Sequence, residues 1–197
     1  MDIQQVNKKM CEFFDERVEK FNYKDMTKIE RMKQLFNGIV NEGDKVLDIA
    51  CGVGTIDDVL IELGASEIFA IDLSTKMIAQ AMENNSSSNI KYEVMDLSNL
   101  NVSGYDLAVV YNSYVHIVQR DVLIEKLKKS LKVGGRFAII NTANYKYINE
   151  QHSKGVEVDI SKPIEKPSVE QLLFANDFII DKVVDDENTY IISGIKK

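Results

Sequence analysis

The sequence predicts an α/β fold: a doubly wound sheet of seven strands, mostly parallel with an antiparallel last strand, and helices on both faces. Three observations carry that expectation. Between residues 45 and 141, short apolar runs alternate with segments of helical periodicity, as in strand–helix–strand units that pair in parallel. The stretch VLDIACGVGTID (46–57) runs an apolar strand through two glycines into a helix start. The last two apolar runs are joined by only DDEN (185–188), a link too short for a parallel crossover.

The elements follow in order. Residues 1–40 read as a helical cap. Ile3, Val6, Met10, Phe13, Phe14, Val18 and Phe21 fall three and four apart, and Met26, Ile29, Met32, Leu35, Phe36 and Ile39 repeat the spacing. Each set makes an apolar stripe that needs a surface to pack on. Thr27 and Glu30 have the spacing of a capping box. NEGD (41–44) breaks the chain, KVLDIA is a strand, and 55–63 is a helix ended by Gly64. EIFAID (67–72) is a strand, and Ser74 caps a helix to about Met82. After the polar loop NNSSSN (84–89), IKYEVMD (90–96) and YDLAVVYNS (105–113) are strands. Asp121 opens a helix that ends near Lys132, ahead of Gly134 and Gly135, and RFAIIN (136–141) is the next strand. Residues 142–167 are too many for a plain connection and are expected to form an irregular substrate lid. Pro167 and Ser168 open the last helix, with Gln171 completing a second capping-box spacing. FIIDKVV and YIISGIK finish the chain, and residues 1–197 read as a single domain.

Composition narrows the function. Lysine and arginine total 24 against 31 acids, a net charge of −7, which argues against a broad nucleic-acid surface. Lys126, Lys128, Lys129 and Lys132 cluster at a helix C-terminus, where cations suit the dipole, and read as a solvated structural feature. No apolar run approaches the ~20 residues that cross a bilayer, and MDIQQVNKKMCEFF has no signal-peptide core. Cys11 and Cys51 are far apart, so neither a disulfide nor a zinc cluster is expected, and a cytoplasmic location is. Cys51 has no evident base and reads as a space-filling residue of the turn.

The glycine turn selects its ligand by what it lacks. A triphosphate loop needs a lysine and a hydroxyl after its second glycine, and here Gly54 is followed by Thr55 and Ile56. A dinucleotide turn needs a third glycine, where this chain has Asp57. Three acids fall at successive strand ends instead. Asp48 lies at the foot of the turn. Asp72 lies 20 residues past Gly52, where a carboxylate can accept from ribose hydroxyls. Asp96 ends the third strand, where it could accept from an adenine amino group. That crevice suits an adenosine with a cationic or zwitterionic tail better than a polyphosphate.

With those residues in place, the chain resembles class I S-adenosylmethionine-dependent methyltransferases of the small stand-alone bacterial type, from about Phe13 to the C-terminus. VLDIACGVG is similar to their first motif, with Asp48 as its acid, Gly52 and Gly54 as its turn glycines, and Ala50 where glycine is commoner. AIDLSTKMIAQA resembles the second segment, with Asp72 and Leu73, and EVMDL the third, with Asp96 and Leu97. LKVGGRFAI matches their Leu-Lys-Pro-Gly-Gly, with Val133 replacing proline. FFDERVEKFN and INEQH are similar to segments of small bacterial members. The resemblance implies a Rossmann-like fold that binds S-adenosyl-L-methionine and releases S-adenosyl-L-homocysteine. It implies cofactor contacts from Asp48, Ala50, Gly52, Gly54, Asp72, Leu73, Met77, Asp96, Leu97 and Asn112.

His116 follows the fourth strand, at the end that faces the transferred methyl in this family, and is the candidate general base. Tyr23, Tyr145 and His152 are the candidate substrate residues. His116, His152 and Asp159 lack ligand spacing, so no metal site is expected. The expected activity is methyl transfer to a small-molecule acceptor, by a monomer or homodimer with no membrane partner. RNA or protein methylation, and a non-catalytic adenosylmethionine-binding partner subunit, remain as alternatives.

Overall fold

The computed structural model describes residues 2–21 and 26–197, without the side chains of residues 26 and 27. Tyr23 therefore lies outside the described residues, as does the Thr27 side chain. The chain forms helices α1 (Ile3–Asp15), α2 (Val18–Phe21), α3 (Met26–Phe36), α4 (Asp57–Glu62), α5 (Thr75–Asn84), α6 (Arg120–Ser130), α7 (Tyr145–Gln151) and α8 (Pro167–Glu170). Its strands are β1 (Lys45–Ile49), β2 (Glu67–Asp72), β3 (Ile90–Val94), β4 (Tyr105–Tyr111), β5 (Leu131–Asn141), β6 (Phe178–Asp186) and β7 (Thr189–Lys196). They make one seven-stranded sheet in the order β3-β2-β1-β4-β5-β7-β6.

Period-two alternation divides the core between the two faces of the sheet. Leu47, Ile49, Phe69, Ile71, Ala108, Val110, Phe137 and Ile139 pack with Leu123 and Leu127 of α6. Val46, Ile68, Ala70, Leu107, Val109, Ala138 and Ile140 pack on the other face with Phe36 of α3, Val59 and Leu60 of α4 and Ile78 of α5. The strand order turns back between β1 and β4. That switch point opens a crevice at the carboxyl edge of the sheet, where open α/β sheets take their ligands.

Several local expectations need correction. β7 is antiparallel to β5 and to β6, so the reversed strand is the last in sequence but sits one place in from the edge. α8 begins at Pro167 with Lys166 as its N-cap. Gln171 donates its side-chain amide to the Ser168 carbonyl at 3.1 Å, so no capping box forms there. β5 starts directly after α6, at Leu131, and slips register against β4 before Arg136. Gly134 at φ +79° and Gly135, where a Cβ would sit 3.1 Å from the Tyr105 carbonyl oxygen, serve that bulge inside the strand. Residues 142–167 are not irregular throughout. They carry α7, whose first turn is capped by Asn144 accepting from the Tyr147 amide at 2.9 Å, and a 3-10 turn at 155–158.

Candidate active site

The turn after β1 is built from left-handed backbone. Ala50, Gly52 and Gly54 have φ of +59°, +56° and +69°, conformations that glycine adopts without cost and alanine does not. Asp72 fixes the turn from the next strand. Its carboxylate accepts from the Gly52 amide at 2.9 Å and from the Ser74 amide at 2.8 Å. Ser74 in turn caps α5 by accepting from the Met77 amide at 3.0 Å. Each Asp72 oxygen keeps a further acceptor direction, and the residue remains half-exposed to the crevice. At the end of β4, Asn112 also has positive φ, +51°. Its side-chain oxygen accepts from the Thr142 amide at 2.8 Å and the Thr142 hydroxyl at 3.2 Å, tying the ends of β4 and β5 together.

These strand ends floor a crevice of about 880 Å³, lined by Asp48, Ala50, Gly52, Gly54, Asp72, Leu73, Met77, Asn112, His116 and His152. A side pocket of about 90 Å³ joins Asp72 and Leu73 to Asp96 and Leu97. The cofactor candidates are thus divided between two adjoining spaces. Tyr145 is placed differently: it packs half-buried against the core beneath the sheet and lines neither space.

Helix α1 lies over the side pocket. Asn7 donates to one oxygen of Asp96, while the other accepts from the Ser98 amide at 2.7 Å. The Cys11 thiol reaches the Leu73 carbonyl at 3.3 Å, and Asp15 accepts from the Ser74 hydroxyl. Asn7 was not singled out from sequence, although Ile3, Asn7 and Met10 fall on one helical face and all line this pocket. Burial pushes the Cys51 thiol up, with Asp48 and Asp72 adding to the effect, so it stays protonated.

Asp48 meets a partner that the sequence reading used differently. Asp57 is fully buried and points inward, where it accepts from the Tyr92 hydroxyl at 2.7 Å. Neither oxygen of Asp48, and only one oxygen of Asp57, accepts from an N–H or O–H of the described residues, and burial favours the protonated form of both carboxyls. Burial, reinforced by the charge of Asp57, raises the Asp48 carboxyl well above its usual range. Burial raises Asp57 to about 6 against the pull of the Tyr92 hydrogen bond. Folding therefore takes up a proton here. The resulting stability is complete below the ordinary carboxylate range and is lost as pH rises through about 6. Asp57→Asn keeps an acceptor for Tyr92 and needs no proton to sit beside Asp48. Urea denaturation across pH 4 to 7.5 should show the variant gaining on the parent as pH rises, by on the order of 3 kcal/mol over the whole window. A difference that is flat with pH would mean that Asp57 holds no proton in the folded state above the ordinary carboxylate range.

His116 sits in a 3-10 turn at Tyr114–His116. Its Nδ1 lies 3.1 Å from the Ile160 carbonyl, which places the proton on Nδ1 and leaves Nε2 as the acceptor. Burial lowers its pKa to about 4, so the ring is neutral at pH 7. It stacks edge-on against Phe14 and against His152, with centroids 5.0 and 4.9 Å apart. His152 is oriented the same way, by the Ile148 carbonyl 2.6 Å from Nδ1.

A buried clamp sets the His116 turn. Arg120 donates to the Tyr114 carbonyl at 2.6 Å and the Lys162 carbonyl at 3.3 Å, and lies 3.5 Å from Glu170. Glu170 accepts from the Tyr114 hydroxyl at 2.7 Å and the Glu165 amide at 3.0 Å. The Lys162 amide reaches the Val115 carbonyl at 2.8 Å. Sequence reading gave no signal for this clamp, because its charged partners lie on helices far apart in the chain. The lysine cluster is engaged throughout: Lys126 with the Leu100 carbonyl, Lys128 with Asp177, Lys129 with Glu125, and Lys132 with Asp106. Among the described residues, no group of three His, Cys, Asp or Glu could hold a metal ion, and no helix is long and apolar enough to cross a membrane.

The donor set fits the expected cofactor. Asp48 is buried at the crevice floor with no donor among the described residues, and an ammonium group there would favour its charged form; the free acceptor directions of Asp72 suit a diol.

Comparison with known proteins agrees with the resemblance read from the motifs. Residues 46–135 match the family model described as a methyltransferase domain. The chain is 32% identical over 101 residues to phosphoethanolamine N-methyltransferase 3 of Arabidopsis thaliana, covering 49% of this chain and 21% of that protein. It is 30% identical over 126 residues to ribosomal protein L11 methyltransferase of Thermosipho melanesiensis, covering 62% of this chain and 47% of the relative. The chain thus spans about a fifth of the plant relatives and about half of the bacterial one. Its fold is similar to magnesium protoporphyrin IX methyltransferase of Synechocystis with bound S-adenosylhomocysteine, at TM-score 0.72, 15% identity and full coverage of both chains. It is also similar to a methyltransferase of Aquifex aeolicus, at TM-score 0.68 and 16% identity, covering 89% of this chain and 100% of that one.

Proposed function

We propose, because residues 46–135 belong to the methyltransferase-domain family, that the chain binds S-adenosyl-L-methionine and transfers its methyl group to a small-molecule acceptor. The observation that carries the reading is the roofed crevice of about 880 Å³ at the sheet's switch point, with the glycine turn and Asp72 at its floor. Asp72 takes the ribose. Asp96 and Leu97 bound the space for the base, and Asp48 faces the amino end. The cofactor supplies a methyl group already activated on a sulfonium.

The chain's own residues do the rest: they hold two reactants in line and exclude water. α1, α2, α3 and the 142–167 segment form the roof. Phe13 and Phe14 come from one side, and His152 and Glu157 from the other. His116, neutral and fixed through Nδ1, offers Nε2 to a proton on the acceptor's nucleophile. A group with a pKa of about 4 is a weak base at neutral pH, so it orients the nucleophile and takes up a proton only as the bond to carbon forms. Two cysteines without a disulfide, Cys11 and Cys51, suit a reducing cytoplasm.

A protein acceptor is the second reading, favoured by the similarity to the L11 methyltransferase. Calorimetry should detect S-adenosylhomocysteine binding at micromolar concentrations, about −8 kcal/mol, and none for NAD. Release of S-adenosylhomocysteine with a panel of small metabolites, and not with ribosomal protein or RNA, is the expected outcome. Binding of NAD alone would overturn the cofactor assignment. Turnover only with ribosomal protein would give the site to the second reading. Cofactor binding with no turnover on any acceptor would leave a non-catalytic partner subunit.

A further inference from the structure

The cap helices bring a group of cations to one side of the crevice. The protein carries a net charge of −7, yet Arg17, Lys20, Lys28 and Arg31 all line the crevice, and all come from the short stretch that roofs it. Two of them are held in place. The Arg17 guanidinium lies 3.9 Å over the Phe13 ring, donates to the Phe13 carbonyl at 3.0 Å, and pairs with exposed Glu16 at 3.3 Å. Arg31 donates to the Asn188 carbonyl in the turn between β6 and β7. Its charge is felt by Tyr111, the last residue of β4, where it works against the upward push of burial on the phenol. Arg31 therefore stands across from the strand end that carries Asn112.

Among the described residues, five acids also line the crevice, with Asp48 and Asp72 at its floor. Glu62 is paired with Lys33 at 2.8 Å, and Asp58, like Lys28, has an interaction of its own. Glu157 remains as the carboxylate of the far wall. Between cations and floor the lining is aromatic and aliphatic: Phe14, Phe21, Ile29, Met32 and Tyr111.

We propose that the acceptor is a small molecule carrying a phosphate or carboxylate, seated with that anion on Arg17, Lys20 and Arg31 and its nucleophile toward the end of β4. The proposal rests on the methyltransferase reading and names the acceptor class for it. Arginine's planar fork matches the oxygens of either anion. Cations at the mouth of a low-dielectric crevice also raise the local concentration of such a ligand against the acidic surface around it. A polynucleotide is disfavoured by that same surface and by the roof.

The test titrates inorganic phosphate and succinate into the protein loaded with S-adenosylhomocysteine, with Arg31→Gln and Lys20→Gln as variants. Saturable binding of at least one anion is expected, weakened about tenfold in Arg31→Gln and less in Lys20→Gln, with S-adenosylhomocysteine affinity within about twofold of the parent. Preference for phosphate or for succinate identifies the anion. Equal anion binding by parent and variants overturns the proposal. So does a parallel loss of S-adenosylhomocysteine affinity, which would assign the cations to the cofactor's own carboxylate. Tighter binding of a single-stranded oligonucleotide than of either anion would overturn it as well. If S-adenosylhomocysteine does not bind the parent, the methyltransferase reading fails, and the same titration on the unloaded protein decides the anion site by itself.

Discussion

Asp72→Ala is expected to weaken S-adenosylhomocysteine binding by about a hundredfold or more, measured by calorimetry. Two charge-assisted hydrogen bonds to a ribose diol are lost, each worth roughly 1.5–3 kcal/mol. The turn loses its template as well, because the same carboxylate holds the Gly52 and Ser74 amides at 2.9 and 2.8 Å. Two backbone amides lose their acceptor, so a lower melting temperature should accompany the weaker binding. Gly52 is partly exposed, so water replaces the loss there, whereas Ser74 is buried; the protein should still fold, at a reduced stability. Asp72→Asn should fall between the two, because its amide keeps one acceptor. Parental affinity in the alanine variant would remove Asp72 from the ribose site.

Gly54→Ala should be the most damaging single methyl in the turn. The backbone there has φ +69°, and an added Cβ would lie 2.5 Å from Asn85 Nδ2 and 2.7 Å from the Tyr92 hydroxyl. Neither atom can give way cheaply. Asn85 is buried and donates to the Gly54 and Ala81 carbonyls at 3.1 and 3.0 Å, and Tyr92 donates to buried Asp57 at 2.7 Å. Left-handed strain of roughly 1–2 kcal/mol adds to displaced buried hydrogen bonds at roughly 1–3 kcal/mol each. The sum is about 4 kcal/mol, a melting temperature lower by roughly 10 °C in a chain of this size. Gly52→Ala is the control. It has a similar φ of +56° but nothing within 4 Å of its Cβ, so it should show the backbone cost alone. Equal melting temperatures for the two variants would mean that the Asn85–Tyr92–Asp57 packing is absent in solution.

The order of strands and helices was legible in the sequence because it depends on local periodicity. The alternating faces of Val46, Leu47 and Ile49, or of Ile68, Phe69, Ala70 and Ile71, are written in neighbouring residues. So was the glycine turn, because positive φ at Gly52 and Gly54 is a demand on single residues. The carboxylates at strand ends were legible for the same reason, and so was the reversed last strand, forced by a short link.

Tertiary structure decided the rest, through contacts between distant parts of the chain. The sequence shows that β7 runs backwards, but not that it enters between β5 and β6. Pairing with both neighbours supplies hydrogen bonds along both of its edges. It places Asp57 three residues after Gly54, but only packing turns that carboxyl inward to Asp48 and Tyr92. Likewise, no local pattern pairs Asn7 with Asp96, or Arg120 with Glu170. Propensity fixes a residue's own backbone. Whether a charge can be buried depends on which partner the fold brings to it, and that partner comes from elsewhere in the chain.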